Sequence, residues 1–171
     1  MHHPLMDNNI LREDNIVVQK FLKTFPKLTN GEKVIEFEKK WSKWLGVRYS
    51  VFVNSGSSAN IMSLAYLRTI YKDGEIIVPS LNWVSDITSI LYSNFKPVFV
   101  DINLKTLSAS VDAIKKSINK NTKAILLTHI LGFNGLSDEL LKIIKRKKIF
   151  LIEDVCESHG VIFRNKKAGC F

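Results

Sequence analysis

Short, almost wholly apolar runs alternate with amphipathic stretches along most of this chain, and that alternation restricts the fold more than any other feature. The runs are residues 75–78, 97–100, 123–127 and 149–152. Between them, residues 83–92, 111–118 and 137–147 carry helical spacing, with Ser110 and Ser137 placed as N-caps. Strands with no polar face need cover on both sides, and connections of this length join parallel strands. The pattern predicts an α/β domain, a mainly parallel sheet with helices on both faces. A chain of 171 residues has room for one such domain with a substantial core.

Ahead of that rhythm, residues 1–9 read as a loose lead. Ile10, Ile16, Val17, Phe21 and Leu22 lie at helical spacing over residues 10–22, and Pro26 bars continuation. A second helix opens at Thr29-Asn30-Gly31-Glu32, carries Val34, Phe37, Trp41, Trp44 and Leu45 on one face, and stops at Gly46. That apolar stripe makes both tryptophans core or interface residues before ligand platforms. Residues 49–53 then read as a strand ending at Asn54, and Ala59, Met62, Leu64, Ala65, Leu67 and Ile70 begin a helix. The turn between them, Ser55-Gly56-Ser57-Ser58, leaves backbone N–H groups unpaired at the positive end of a helix, where phosphate can bind. Gly56 permits close approach and the serines add hydroxyl donors. A plain serine N-cap accounts for the same residues. Neither common nucleotide fingerprint, G-x-x-x-x-G-K-S/T or G-x-G-x-x-G, is present.

The formal charge of +9 raises nucleic acid as a partner. The lysines, however, spread along helix faces (Lys39, Lys40, Lys43, Lys115, Lys116 and residues 142–148) with no nucleic-acid motif and no aromatic interleaving. A solvated surface that favours anionic substrates explains them, and cations at 145–148 suit a helix C-terminus. Cys156 and Cys170 make no disulfide framework and no C-x-x-C spacing, so a reducing cytoplasm is expected. No apolar signal core or membrane span is visible, and His2 and His3 read as terminal residues rather than a metal site.

In sheets of this class, ligands bind beyond the carboxyl ends of the strands. That rule singles out residues 54–58 and 79–83, Asp101, Thr128-His129 and residues 154–159. Asp154 closes an apolar run, so its carboxylate needs a cationic or hydrogen-bonding partner. A protonated ring nitrogen is one such partner, and the carboxylate would keep it charged. Trp83 can lie flat against that ring while the turn at Gly56, Ser57 and Ser58 holds its phosphate. Those three contacts describe pyridoxal 5′-phosphate (PLP). Taken singly, each residue has a plainer reading: Asp101 caps its own turn and Trp83 packs. His129 is a satisfied buried histidine, and Cys156, with no activating neighbour, is a small core residue. A magnesium-dependent phosphatase using Asp101 and Asp154 is a rival that lacks a matching nucleophile motif.

The segments NSGSSAN, VPSLNWVS, PVFVDIN, TKAILLTHILG and LIEDVCESHG with a following NKKAG, in that order, resemble the DegT/DnrJ/EryC1/StrS group. These are PLP-dependent sugar aminotransferases and their 3-dehydratase relatives, and the resemblance runs from about Thr29 to the last residue. It implies the large domain of a fold type I PLP-dependent transferase. Residues 1–28 would form a lead and helix, residues 29–171 the N-terminal part of the PLP-binding domain, and the C-terminal small domain would be absent. It further implies Gly56 and Ser57 at the phosphate with Ser58 beside them, Trp83 on the pyridine face and Asp154 on its nitrogen. Glu157 would stand by the ring hydroxyl, where relatives carry Gln or His; a carboxylate there repels a phenolate unless one of them holds a proton. The Cys-Glu-Ser run looks closer to the GDP-4-keto-6-deoxymannose 3-dehydratase branch. The Schiff-base lysine, or the histidine replacing it in that branch, falls beyond Phe171, and Lys166 and Lys167 read as surface residues of a polar turn. The implied partners are a nucleotide-linked keto sugar, an amino donor and a second subunit. The implied reaction is transamination, with 3-dehydration as alternative. The 171-residue chain alone is expected to lack turnover, and a product that serves only binding or assembly is the remaining alternative.

Overall fold

In the computed structural model, which describes residues 9–171, the apolar runs close into strands and the amphipathic stretches into helices. The chain begins with α1 (Arg12–Leu22), α2 (Glu32–Leu45) and α3 (Gly56–Ile70). It continues through β1 (Glu75–Pro79), α4 (Val84–Tyr92) and β2 (Lys96–Val100) to a small hairpin, β3 (Ile102–Asn103) and β4 (Ser108–Ala109). After α5 (Val111–Ser117), β5 (Thr122–Thr128), α6 (Asp138–Lys147) and β6 (Phe150–Asp154) comes a last hairpin, β7 (Ile162–Phe163) and β8 (Lys166–Lys167). The lead expected at the N-terminus, with His2 and His3, lies outside the described residues as far as residue 8.

β1, β2, β5 and β6 form one parallel sheet in the order β2-β1-β5-β6. Successive strand residues point to opposite faces. Ile76 and Val78 of β1 and Ala124 and Leu126 of β5 thus pack with Leu64, Leu67 and Ile90 from α3 and α4. Ile77, Ile125 and Leu127 pack the other way, with Ile114 of α5 and Leu140 of α6. Helices cover both faces because the strands present apolar side chains to both. The chain steps from β1 out to β2, then crosses back past β1 to β5. That reversal opens a crevice at the carboxyl ends of β1 and β5.

Local chemistry sets the element ends. The Ser137 hydroxyl accepts the Leu140 N–H at 3.2 Å, acidic residues open α6, and basic residues close it. The β7–β8 hairpin turns through Arg164 and Asn165, both at positive φ (47° and 60°), as a tight primed turn demands. Lys167 in that hairpin donates to the Trp44 carbonyl at 2.6 Å.

One expected strand is missing. Residues 49–53 form no ladder, and Tyr49, Val51 and Phe52 are exposed. The Phe52 N–H is satisfied by the Glu38 carboxylate at 2.8 Å instead of by a neighbouring backbone. β-branched and aromatic residues suit a pleated surface, but without an adjacent strand that preference has nothing to act on. The two short hairpins also escaped the periodicity, being too brief to carry a pattern. No helix among the described residues is long and apolar enough to cross a membrane.

Leu126 is wholly buried, packed with Leu64, Leu67 and Ile90 of α3 and α4. Leu126→Ala is expected to cost about 2–5 kcal/mol in urea unfolding. Leu131→Ala, at an exposed position, should cost less than about 0.5 kcal/mol.

Candidate functional site

Ser55 is the N-cap of α3, its hydroxyl accepting the Ser58 N–H at 3.2 Å, while the Ser58 hydroxyl donates to Asn54 Oδ1 at 2.6 Å. The cap reading therefore holds for Ser55. It leaves the N–H groups of Gly56 and Ser57, the first two helical residues, without an intrahelical acceptor. A Cβ on Gly56 would lie 2.8 Å from Cys156 Sγ. Only glycine lets the first turn of α3 come this close to the loop that follows β6.

One turn further on, the Asn60 side-chain amide donates to Asp86 Oδ1 and to Asp154 Oδ2, both at 2.8 Å. Thr128, the last residue of β5, donates its hydroxyl to Asp86 Oδ2 at 2.8 Å, and the Cys156 N–H donates to Asp154 Oδ1 at 3.0 Å. All four side chains are buried, Asp86 completely. The network joins α3, α4, β5 and β6 at a single point beyond the strand ends. Trp83 caps α4 and is exposed, and its carbonyl accepts the Asp86 N–H at 3.0 Å. Trp83 thus precedes the buried Asp86 by three residues, and its indole is exposed.

Two carboxyls on one amide divide their charge. Burial pushes the Asp86 carboxyl up to about 7, the Thr128 hydrogen bond offsets part of this, and the charge on Asp154 adds to it. Burial also works against ionised Asp154. There the hydrogen bonds from Asn60 and from the Cys156 N–H outweigh it and hold the carboxyl below its ordinary value. Asp154 is the charged member of the pair.

The other strand-end residues take the following positions. Glu157 is exposed, and its Oε2 accepts the Leu131 N–H at 3.0 Å, tying the loop after β6 to the loop after β5. His129 is buried, with Nδ1 accepting the Gly135 N–H at 3.1 Å, so Nε2 carries the proton that faces Glu153 at 3.1 Å. It is the satisfied histidine the sequence suggested. Asp101 accepts the Ile102 N–H at 2.8 Å, a local cap. Cys156 corrects its reading: it is exposed, not core, because its loop turns outward past Asp154. Partial burial and the adjacent Asp154 carboxylate push its thiol up to about 11, which leaves it a thiol rather than a thiolate.

Asn60, Asp86 and the role of Thr128 were not anticipated. The sequence offered no separate signal for them: the helical faces of Asn60 and Asp86 also carry serines, Ser57 and Ser63 on α3 and Ser89 on α4. These elements carry N–H groups for an anion at the start of α3, an exposed aromatic side chain ahead of α4 and an ionised carboxylate at the end of β6. That donor set suits a phosphorylated ring carrying a positive charge.

The sequence profile of the DegT/DnrJ/EryC1/StrS aminotransferase family matches residues 9–171. The chain belongs to this family. The match takes in α1, ahead of the motifs from which the resemblance was read. Over 148 residues the chain is 38% identical to the GDP-4-keto-6-deoxy-D-mannose 3-dehydratase of Escherichia coli O55:H7 (strain CB9615 / EPEC), covering 84% of this chain and 38% of that protein. Over 139 residues it is 32% identical to the GDP-perosamine synthase of Caulobacter vibrioides (strain ATCC 19089 / CIP 103742 / CB 15), covering 81% and 37%. Among solved structures, the E. coli GDP-4-keto-6-deoxy-D-mannose-3-dehydratase with bound hydrated PLP superposes at a TM-score of 0.91. It is 35% identical, and the match covers 99% of this chain and 45% of that one. The chain spans less than half the length of the DegT/DnrJ/EryC1/StrS relatives it matches.

The divided charge has a stability signature. Asp86 holds its proton more tightly in the folded chain than in the unfolded one. Its contribution is therefore complete below its ordinary value of about 4 and is lost as pH rises through about 7. Urea titrations should show the wild type losing stability relative to Asp86→Asn between those limits. A difference that stays constant with pH contradicts the assignment.

Proposed function

We propose that this chain supplies the cofactor-holding part of a PLP-dependent enzyme acting on nucleotide-linked keto-deoxy sugars. The observation that carries the reading is the Asn60 amide, which brings the first turn of α3, the start of α4 and Asp154 to one place. In this reading the Gly56 and Ser57 N–H groups take the phosphate, with the Ser57 hydroxyl beside them and Ser58 holding the turn through Asn54. Trp83 covers one face of the ring and restricts its tilt. Asp154, ionised and anchored at both oxygens, keeps a proton on the ring nitrogen. Glu157, on the loop after β6, would be the residue beside the ring hydroxyl, and its hydrogen bond from the Leu131 N–H would disperse charge that would otherwise repel it. PLP bound there supplies an electron sink for bonds next to the sugar's carbonyl carbon.

Transamination and 3-dehydration make the same demands on these contacts. Identity of 38% to the 3-dehydratase against 32% to the perosamine synthase favours removal of a sugar hydroxyl, as does the Cys-Glu-Ser run at 156–158. A GDP-linked 4-keto-6-deoxy sugar is the substrate class this favours, and the net charge of +9 suits a nucleoside diphosphate. We take the working enzyme to be a cytoplasmic homodimer. α1 and α2 bury none of their residues within the chain and expose Val17, Val18, Ile35 and Phe37, an apolar surface suited to a second subunit.

PLP added to the chain is expected to give saturable changes in cofactor absorbance. Asp154→Ala and Trp83→Ala should each weaken binding by about tenfold or more, or about 1.4 kcal/mol. Equal binding by all three proteins rules the site out.

A further inference from the structure

One buried carboxyl at this centre has no part in the contacts assigned above. Asp86 is wholly inaccessible, and the Asn60 amide is shared between it and Asp154. We propose that Asp86 is a positioning residue for Asp154: standing neutral beside it, Asp86 takes one hydrogen of the Asn60 amide and leaves Asp154 as the single carboxylate presented to a cationic ligand. The inference rests on the PLP reading only for the identity of that ligand.

The geometry requires an unequal pair. Each carboxylate has an oxygen 2.8 Å from the same amide nitrogen, so the two groups are neighbours on one neutral donor. Among the described residues no lysine, arginine or histidine pairs with either. Two unbalanced charges there would repel in a site largely shielded from water. The second partner of each group decides which one stays charged. Asp154 receives a backbone N–H from Cys156, a donor that cannot reverse and so favours the ionised form. Asp86 meets the Thr128 hydroxyl, which rotates to accept a hydrogen bond as readily as to donate one. A protonated Asp86 can give its hydrogen to the adjacent Asp154 carboxylate or to Thr128 turned to accept, whereas protonating Asp154 weakens the acceptor on which the fixed Cys156 N–H depends. The upward shift of the Asp86 carboxyl to about 7 agrees with this choice.

The titratable groups facing Asp86 are the Asp154 carboxyl from β6 and the Cys156 thiol from the loop after it. From α3 it meets the Asn60 amide, from β5 the Thr128 hydroxyl, and within α4 the Trp83 backbone. Loss of the Asp86 proton places a second negative charge on the amide that orients Asp154. The direction of Asp154 thus depends on whether its neighbour is neutral.

The test uses the whole chain without ligand, labelled with carbon-13 at aspartate carboxyls. Carbon-detected NMR should show one carboxyl with a midpoint of about 7, absent in Asp86→Asn. The signal removed by Asp154→Asn should remain that of an ionised group across the range from about pH 5 to about pH 9. Binding of PLP supplies the second readout. The ratio of wild-type to Asp86→Asn affinity should change about threefold or more between about pH 6 and about pH 8. Asp86→Leu, which cannot take the amide hydrogen, should weaken binding about tenfold at about pH 6 where Asp86→Asn does not. A merely space-filling Asp86 gives a ratio that is flat with pH. The proposal is overturned if every wild-type carboxyl titrates below about pH 5.5, or if the step near neutrality survives Asp86→Asn. If the step follows Asp86 but PLP does not bind, the cofactor reading fails and the charge assignment stands. If PLP binds and no step follows Asp86, the reverse holds.

Discussion

A single side-chain amide, that of Asn60, stands between two buried carboxyl groups, and the rest of the site depends on it. It fastens the first turns of α3 to Asp154 at the end of β6 and to Asp86 in the first turn of α4. A buried carboxylate left without a donor costs at least about 1–3 kcal/mol, and more when charged. The bridge therefore fixes where the α3 turn lies relative to Asp154, and the close approach of Gly56 to Cys156 follows from it. Phosphate-binding N–H groups, an aromatic face and a carboxylate occur in many proteins. Here their separation is set by a network that is only complete when all of its members are in register.

Sheet topology places that network where a ligand can reach it. Below the strand ends the two faces are filled by alternating aliphatic side chains, with α3 and α4 on one side and α5 and α6 on the other. Aliphatic side chains dominate those layers, and Thr128 and Asp154 stand at the carboxyl ends of β5 and β6. The reversal of strand order between β1 and β5 opens the crevice above them. Stability and function are thus segregated along each strand: apolar contacts over its length, charge and hydrogen bonding at its carboxyl end.

The sheet and its covering helices were legible because strands such as 124–127 carry no polar residue at all, and that composition has few structural solutions. The places of Asp154 at the end of β6 and of Trp83 between β1 and α4 were legible from the strand-end rule. Residues 49–53 were misread because a strand is defined by its neighbour, and composition alone does not reveal whether one is there. Cys156 was misplaced because its loop's direction depends on the turn at Asp154 rather than on local pattern. Asn60 was hidden for a different reason. A lone asparagine in a helix reads equally as a solvent-facing residue, and its partner Asp154 lies 94 positions away. The side chains that organise the site are those whose meaning comes only from contacts distant in sequence.

The most direct measurement is a crystal structure of the chain grown with PLP. It should show the phosphate on the Gly56 and Ser57 N–H groups, the ring against the Trp83 indole and its nitrogen on Asp154, with the Asn60 amide still bridging Asp86 and Asp154. PLP bound elsewhere, or bound here with Asn60 turned away from either carboxylate, contradicts the account.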